Sequence, residues 1–286
     1  MSEEKRGSLY LSATPIGNLE DMTFRAVRML GEADLIAAED TRHTRKLLSH
    51  YDIHTAATSY HEHNKLTKGP ELVAKMLAGA VIVCVSDAGL PGISDPGAHL
   101  AQLAVEAGVP VSPLPGANAA LSALICSGLD TTAFAFYGFL PKSVKKRREL
   151  LENIKNHQET LIFYEAPHHL KETLHQLAEA LGAGRRAVAA RELTKRYEEF
   201  NRRSLGELLA YYQENEPRGE FVLLVEGYDA SCQEAEESCV PAASPAELVQ
   251  ALEQQGLSRK EAMRETAKKL GMSRRDVYQL LLQQDV

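Results

Sequence analysis

Apolar positions along the chain switch between two periods. Short β-type runs stand at Leu9–Thr14, Asp34–Ala38, Ala80–Ser86 and Val109–Leu114. Between them lie stretches with helical spacing, at Phe24–Leu30, at about 98–107 and after Gly116. The Ala80–Ser86 run, AVIVCVS, is almost continuously apolar, the signature of a strand covered on both faces. The alternation resumes with strands at Phe134–Tyr137, Leu161–Tyr164, Ala187–Ala190 and Phe221–Val225, and helices at about 144–156, 168–181 and 204–214. This order predicts an α/β protein of βα units on a mostly parallel sheet, divided into two α/β domains over residues 1–118 and 119–228.

Residues 229–244 break the pattern. Asp229, Glu234, Glu236 and Glu237 occur among Ser, Ala and Pro without a Lys or Arg, so the stretch reads as an acidic linker. Residues 245–286 then read as all helix. One helix is expected over Ala246–Gln255 and a second over Arg259–Leu270, capped by Ser258 with Glu261 at the capping-box position. After a Gly271–Met272 turn, Ser273 caps a third through Leu282. Two short helices joined by a Gly-containing turn form a helix-turn-helix signature, a grammar that small three-helix bundles share.

Composition narrows the function classes. With 44% hydrophobic and 25% charged residues the chain is ordinary globular material, large enough to bury cores without metal or disulfide staples. No run approaches a membrane span, and MSEEKRGS at the N-terminus lacks the apolar core of a secretory signal, so a cytoplasmic location is expected. Cys84 and Cys126 sit in apolar stretches and read as core residues, while Cys232 and Cys239 have no partner at metal-ligand spacing. A net charge of −7 argues against non-specific nucleic-acid binding by the whole chain, leaving only local basic faces for that purpose.

Several catalytic motifs are missing. There is no GxGxxG and no GxxxxGK[ST], and His61-Glu62-His63 is not HExxH; it reads as a solvated turn. Instead, Gly/Pro-rich loops directly follow predicted strands: TPIGNL (14–19), SDAGLPGISDPG (86–97) and PLPGANAA (113–120). Loops at the carboxyl ends of parallel strands are where open α/β sheets bind small molecules. Three of them point to a ligand site, in preference to plain turn chemistry.

These loops, with LIAAEDTRHTRKLL (35–48), YGFLP (137–141), FYEAPHHL (163–170), ARELTK (190–195) and GEFVLLVEG (219–227), resemble the tetrapyrrole-methylase-like class III methyltransferases. Within that group they are most similar to the ribosomal RNA small-subunit methyltransferase I family, over about residues 8–228. The resemblance implies S-adenosylmethionine in a cleft between two α/β domains, a homodimer, and 2′-O-methylation of a cytidine in 16S rRNA, free or in the small ribosomal subunit. The donor pocket it implies holds Pro15, Asp87, Leu90, Ser94, Asp95, Ala117, Asn118, Tyr164 and Ala166. Where Leu90 stands the family often has Thr, so a hydroxyl contact is lost there and a backbone contact remains.

Methyl transfer to a ribose hydroxyl needs in-line positioning and a proton acceptor or charge stabiliser. Glu39, Asp40 and Arg42, which follow a predicted strand, are the candidates, with Lys195 as a cation near the reacting oxygen. Asp40 also fits the N-cap of a helix beginning near Thr41. RNA contact falls to Lys142, Lys145, Lys146, Arg147 and Arg148, and in the tail to Arg259, Lys260, Lys268, Lys269, Arg274 and Arg275; solvated helix faces carry such runs too. No residue pattern calls for a metal. Two other readings stay open: a methyltransferase of the same fold acting on a tetrapyrrole or other small molecule, and a non-enzymatic regulator that binds DNA through the tail.

Overall fold

The computed structural model describes residues 7–93, 95–229, 245–254, 257–269, 272–273 and 275–277. Ser94, Cys232, Cys239 and Arg274 therefore lie outside the described residues. The chain separates into one unit ending at Tyr228 and a second beginning at Asp229.

The first unit is built on two sheets. The first contains β1 (Ser8–Ser12), β2 (Leu35–Ala38), β3 (Ala57–Ser59), β4 (Val81–Val85) and β5 (Val111–Leu114), in the order β3-β2-β4-β1-β5. All of its pairings are parallel. Alternate strand residues feed opposite cores, as the two-residue period requires. Leu9, Ala37, Ile82 and Cys84 pack with Leu72, Met76 and Leu100 on one face. Ile36, Ala38, Val83 and Val85 pack with Ala26, Leu30 and Leu48 on the other. Both faces are thus covered, by α3 (Lys65–Leu77) and α4 (Gly97–Glu106) on one side and by α1 (Phe24–Glu32) and α2 (Thr41–His50) on the other.

Two of these elements escape the periodicity. Strand β3 has only 3 residues. Helix α3 carries Gly69 and Pro70 in its interior, which reads as a breaker. Burial of Leu72, Val73 and Met76 overrides that local cost. A Cβ on Gly69 would sit 2.7 Å from Leu103 Cδ1, so the glycine lets α3 approach α4 closely.

The second sheet contains β6 (Phe134–Phe139), β7 (Thr160–Glu165), β8 (Arg186–Arg191), β9 (Glu199–Ser204) and β10 (Phe221–Val225), in the order β6-β7-β10-β8-β9. Here the expectation of a mostly parallel sheet fails. Only β6 and β7 pair parallel; β10 runs antiparallel between β7 and β8, and β8 and β9 form an antiparallel pair. The order of elements along the chain is the same in both cases, because the last strand inserts between two earlier ones that are themselves joined by a helix. Helices α6 (Val144–Ile154), α7 (Leu170–Leu181) and α8 (Leu205–Glu214) cover one face, and α5 (Ala119–Ser127) covers the other. β9 (EFNRRS) was not anticipated, since its edge position lets Arg202 and Arg203 stay exposed where a buried strand would be apolar.

Cys84 is buried, as its apolar surroundings suggest, but Cys126 is exposed: it lies on the outer side of α5, whose packed residues are Ala120, Ala123, Leu124 and Ser127. In the second unit, α9 (Pro245–Gln254) and α10 (Arg259–Lys269) share a small core of Val249, Ala262, Ala267 and Val277. The Ser258 N–H donates to Glu261 at 3.1 Å, and Ser273 and Asp276 cap each other's N–H at 3.2 and 3.3 Å. Of the expected third helix, residues 275–277 are helical and the remainder falls outside the described residues. No described helix is long and apolar enough to cross a membrane.

Candidate functional site

Strands β1 and β4 are neighbours, yet their following helices leave over opposite faces of the sheet, α1 to one core and α4 to the other. That divergence opens a crevice at the carboxyl ends of the strands, the place where open α/β sheets bind ligands. The loops after β1 and β4 are tied together across it. Thr14 N–H donates to Gly89 O at 2.9 Å and Gly89 N–H to Thr14 O at 3.0 Å. Gly89 holds φ +78, a left-handed conformation that disfavours any side chain there.

A cavity of about 440 Å³ opens from this crevice toward the second sheet. Each of the three Gly/Pro loops contributes to it: Ile16 after β1, Ala88 to Leu90 and Ile93 after β4, and Asn118 and Ala119 after β5. The opposite wall comes from the second sheet, through Tyr164 to Pro167 at the end of β7 and just beyond it, Ala190 on β8, Leu193 and Lys195 after that strand, and Glu220 to Val222 at β10. Phe139, at the end of β6, stands 57% exposed at the wall with its ring 5.8 Å from that of Tyr164.

Of the residues expected in the pocket, Leu90, Asn118, Tyr164 and Ala166 line it. Asn118 also caps α5, its Oδ1 accepting from the Leu121 N–H at 2.8 Å. Pro15 and Ala117 stand beside lining residues without lining the cavity themselves. Asp95 is committed elsewhere: its carboxylate accepts the N–H groups of Gly92 and Gly97 at 2.7–2.9 Å and builds the loop, while burial raises its pKa. Asp87 Oδ1 accepts the Asp40 N–H at 3.0 Å. Phe139, Glu165, Leu193 and Glu220 were not singled out from the sequence, although each falls inside or beside a stretch that carries the family resemblance.

The pocket is apolar with an acidic excess. Glu165 is 7% exposed and accepts from the Ala166 N–H at 2.8 Å and from the Thr173 hydroxyl at 2.6 Å, with no cation among these partners. Lys195 donates to Glu192 at 3.0 Å and to Glu220 at 2.8 Å. Burial works against its charge, but hydrogen bonds to Glu220 and Glu192 outweigh it and hold Lys195 above the ordinary lysine value. Among the described residues, the one lining cation is therefore already paired with two carboxylates. Such walls suit a ligand that is apolar over most of its surface and carries positive charge.

At the ends of β2 and β4, Glu39 and Asp40 part company. Asp40 caps α2, accepting the Arg42 N–H at 2.8 Å, and its other oxygen pairs with the Arg42 guanidinium at 3.0 Å. These bonds hold its pKa at about 2, which makes it a weak proton acceptor. Arg42 is otherwise 85% exposed. Glu39 accepts from the Asp87 N–H at 3.4 Å, directly beside the Ala88–Leu90 wall. Burial pushes the Glu39 carboxyl above its ordinary value; the Asp87 and Asp95 charges add to that, while the Asp87 N–H and His61 oppose it.

The basic stretch of α6 divides as well. Lys142, Lys145, Lys146 and Arg148 are exposed, whereas Arg147 is 17% exposed and bound to Glu172 at 2.9 Å. In the second unit Arg259, Lys260, Lys268 and Arg275 are exposed, and Lys269 closes α10.

Two α/β sheets with a switch-point crevice and an apolar, net-acidic pocket between them define an α/β protein with a small-molecule site. The sequence profile of the Tetrapyrrole (Corrin/Porphyrin) Methylases matches residues 8–209. A solved uroporphyrin-III C-methyltransferase from Thermus thermophilus, complexed with S-adenyl homocysteine, shares the fold with a TM-score of 0.55 at 19% identity, covering 77% of this chain and 97% of that one. The ribosomal RNA small subunit methyltransferase I of Halalkalibacterium halodurans is 50% identical over 98% of this chain and 96% of its own length. That of Bacillus subtilis is 49% identical over 95% and 93%. The chain belongs to the tetrapyrrole methylase family, in its ribosomal RNA small subunit methyltransferase I branch.

Proposed function

We propose that this protein transfers a methyl group from S-adenosylmethionine to the 2′-oxygen of a cytidine in 16S ribosomal RNA, presented in the small ribosomal subunit in the cytoplasm. The observation that carries the RNA assignment is coverage. The RNA methyltransferase relative matches 98% of the chain, through the C-terminal helical unit, while the uroporphyrin methyltransferase matches 77%.

The pocket fits the donor on its own terms. Its volume lies within the range of small-molecule sites, roughly 300–1,000 Å³. Ile16, Leu90, Leu193 and Val222 offer an apolar surface to an adenosine, and Asn118 offers a polar side chain. Glu165 and Glu220 give the site the negative character that a sulfonium and an ammonium require. When bound there, S-adenosylmethionine supplies an electrophilic methyl group on a positively charged sulfur. Transfer breaks the methyl–sulfur bond and releases S-adenosylhomocysteine as the ribose oxygen takes the methyl carbon, and Glu39 is the residue that would take up the 2′-hydroxyl proton. Asp40 fixes α2 and Arg42, and thereby keeps the end of β2 in place for Glu39. Lys146, Arg148 and the exposed bases of the C-terminal unit hold RNA phosphates.

The test is transfer of labelled methyl from S-adenosylmethionine to small ribosomal subunits that lack this modification, mapped by nuclease digestion and mass spectrometry. A single 2′-O-methylcytidine is the expected product. Donor binding by calorimetry without RNA methylation would overturn the assignment in favour of a small-molecule acceptor.

A further inference from the structure

The loop between β8 and β9 runs from Glu192 to Glu198 and is held in an unusual conformation. Glu192 and Thr194 adopt positive φ, 50° and 65°, without being glycine. Such residues cost free energy and persist where the surroundings hold them, typically at working sites. Glu192 N–H donates to Glu220 O at 3.0 Å, and Lys195 N–H donates to Glu192 O at 3.0 Å. Glu198 accepts the Thr194 N–H at 2.6 Å, and its own N–H donates to Lys195 O at 3.2 Å. One end of this loop, Leu193 and Lys195, faces the donor pocket.

The tip does the opposite. Arg196 and Tyr197 point away from every core, and Tyr197 is 63% exposed. The Arg196 guanidinium stands 5.6 Å from the Tyr197 ring centre. Among the described residues Arg196 has no carboxylate partner, unlike the nearby Arg191, which binds Glu199 at 3.3 Å. The restrained loop thus displays a guanidinium without a carboxylate partner among the described residues and an exposed aromatic ring, one and two residues beyond Lys195 of the pocket wall.

We propose that Arg196 and Tyr197 form a nucleotide clamp at the rim of the donor pocket, with Tyr197 stacking on an unpaired base of the RNA and Arg196 binding an adjacent phosphate. This rests on the RNA reading above and adds the residues that seat the target strand. The chemistry is that of single-stranded RNA recognition, in which unstacked bases lie on aromatic rings and guanidinium planes. The strained backbone fixes the clamp relative to Leu193 and Lys195, so a base held on Tyr197 sets the position of a neighbouring ribose against the pocket.

The experiment uses the full-length protein, S-adenosylmethionine and unmodified small subunits. Tyr197→Ala should raise KM for subunits roughly 5- to 100-fold, the effect expected from losing one base–aromatic stack, with donor Kd and Tm unchanged. Tyr197→Phe should restore KM, because the ring and not the hydroxyl does the stacking. Arg196→Ala should lower the slope of log(kcat/KM) against log[salt] by about 0.7–0.9, the loss of one phosphate contact. An active wild type with Tyr197→Ala at wild-type KM overturns the clamp alone. A wild type that binds donor and methylates no RNA overturns the RNA reading, and the clamp with it.

Discussion

Gly17 is the point where the loop after β1 meets the loop after β8, and its replacement tests how tightly the site is built. A Cβ added to Gly17 would stand 2.4 Å from Lys195 Cγ, 2.9 Å from Thr194 Oγ1 and 3.1 Å from Leu193 O. Carbon atoms in contact prefer about 3.5–4.0 Å, so the first approach overlaps by over an ångström. The Lys195 stem must swing away, drawing Nζ from Glu192 and Glu220, or the 192–198 loop must shift although Thr194 already holds φ 65°. Overpacking of this kind costs about 1–3 kcal/mol, and each kcal/mol lowers Tm by about 2–4 °C in a unit of 150–250 residues. Gly17→Ala should therefore lower Tm by roughly 2–12 °C in differential scanning calorimetry and weaken donor binding at least several-fold in titration calorimetry. The control is Lys195→Ala, which removes the principal obstacle. On that background Gly17→Ala should cost much less, with a coupling of about 1 kcal/mol or more in the double-mutant cycle. Equal costs on both backgrounds would refute the reasoning. Gly31→Ala supplies the opposite sign: nothing lies within 4 Å of its added Cβ in exposed α1, so Tm should rise, by about 0.5–1 kcal/mol of stability.

The remaining expectations concern chemistry, capping and charge. Glu39→Gln should lower kcat by about 10²-fold or more with donor Kd intact, whereas Asp40→Asn, which keeps a capping oxygen, should lose less than tenfold. Because burial raises the Glu39 pKa and only the ionised form accepts a proton, kcat should fall with falling pH, beginning at a higher pH than an ordinary glutamate would impose. A pH profile with its acid limb unchanged in Glu39→Gln would remove Glu39 from this role. Asn118→Ala should lower Tm by roughly 2–4 °C through loss of the α5 cap, about 1 kcal/mol, and Asn118→Asp should restore it. Lys146→Ala and Arg148→Ala should each reduce the salt slope of RNA binding by about 1, while Arg147→Ala, which breaks the Glu172 pair, should lower Tm and leave the slope unchanged.

What the chain discloses before folding follows from which interactions are local. The strands of the first sheet are apolar runs between turn residues, and the three Gly/Pro loops announce a ligand crevice because glycine and proline report backbone demands directly. The crevice is where the loops meet. Pairing is not local. Nothing in Phe221–Val225 says that it enters antiparallel between β7 and β8, since a strand buried on both faces has the same composition in either direction. Helix α3 was hidden for the converse reason, as its Gly69 and Pro70 signal a break that only the packing against α4 overrules. The divergence of Glu39 from Asp40 was legible only in part: Asp40 already fits the N-cap of the helix after Thr41, but its pairing with Arg42 and the burial of Glu39 come from the folded structure.

Charge placement resolves an apparent conflict in the proposed function, which sets a chain with a net charge of −7 to act on RNA. The donor is cationic and the acceptor strand is a polyanion, so one surface cannot serve both. The pocket is lined by Glu165 and Glu220, and its lysine is neutralised by Glu192 and Glu220, which leaves no free cation on its wall among the described residues. Exposed bases that have no carboxylate partner among the described residues stand outside it, at Arg196 and at Lys146 and Arg148 on α6. On the proposed function, phosphate would be attracted to these bases and repelled from the interior, while the donor would be favoured within. This arrangement assigns Lys195 a purpose other than gripping RNA. It lets two carboxylates approach each other at the pocket wall, and its removal should open the pocket to acid–acid repulsion. Lys195→Ala is accordingly expected to lower Tm and to weaken donor binding, with the salt slope of RNA binding unchanged. A reduced salt slope in that variant would place Lys195 on a phosphate and refute the division of charge.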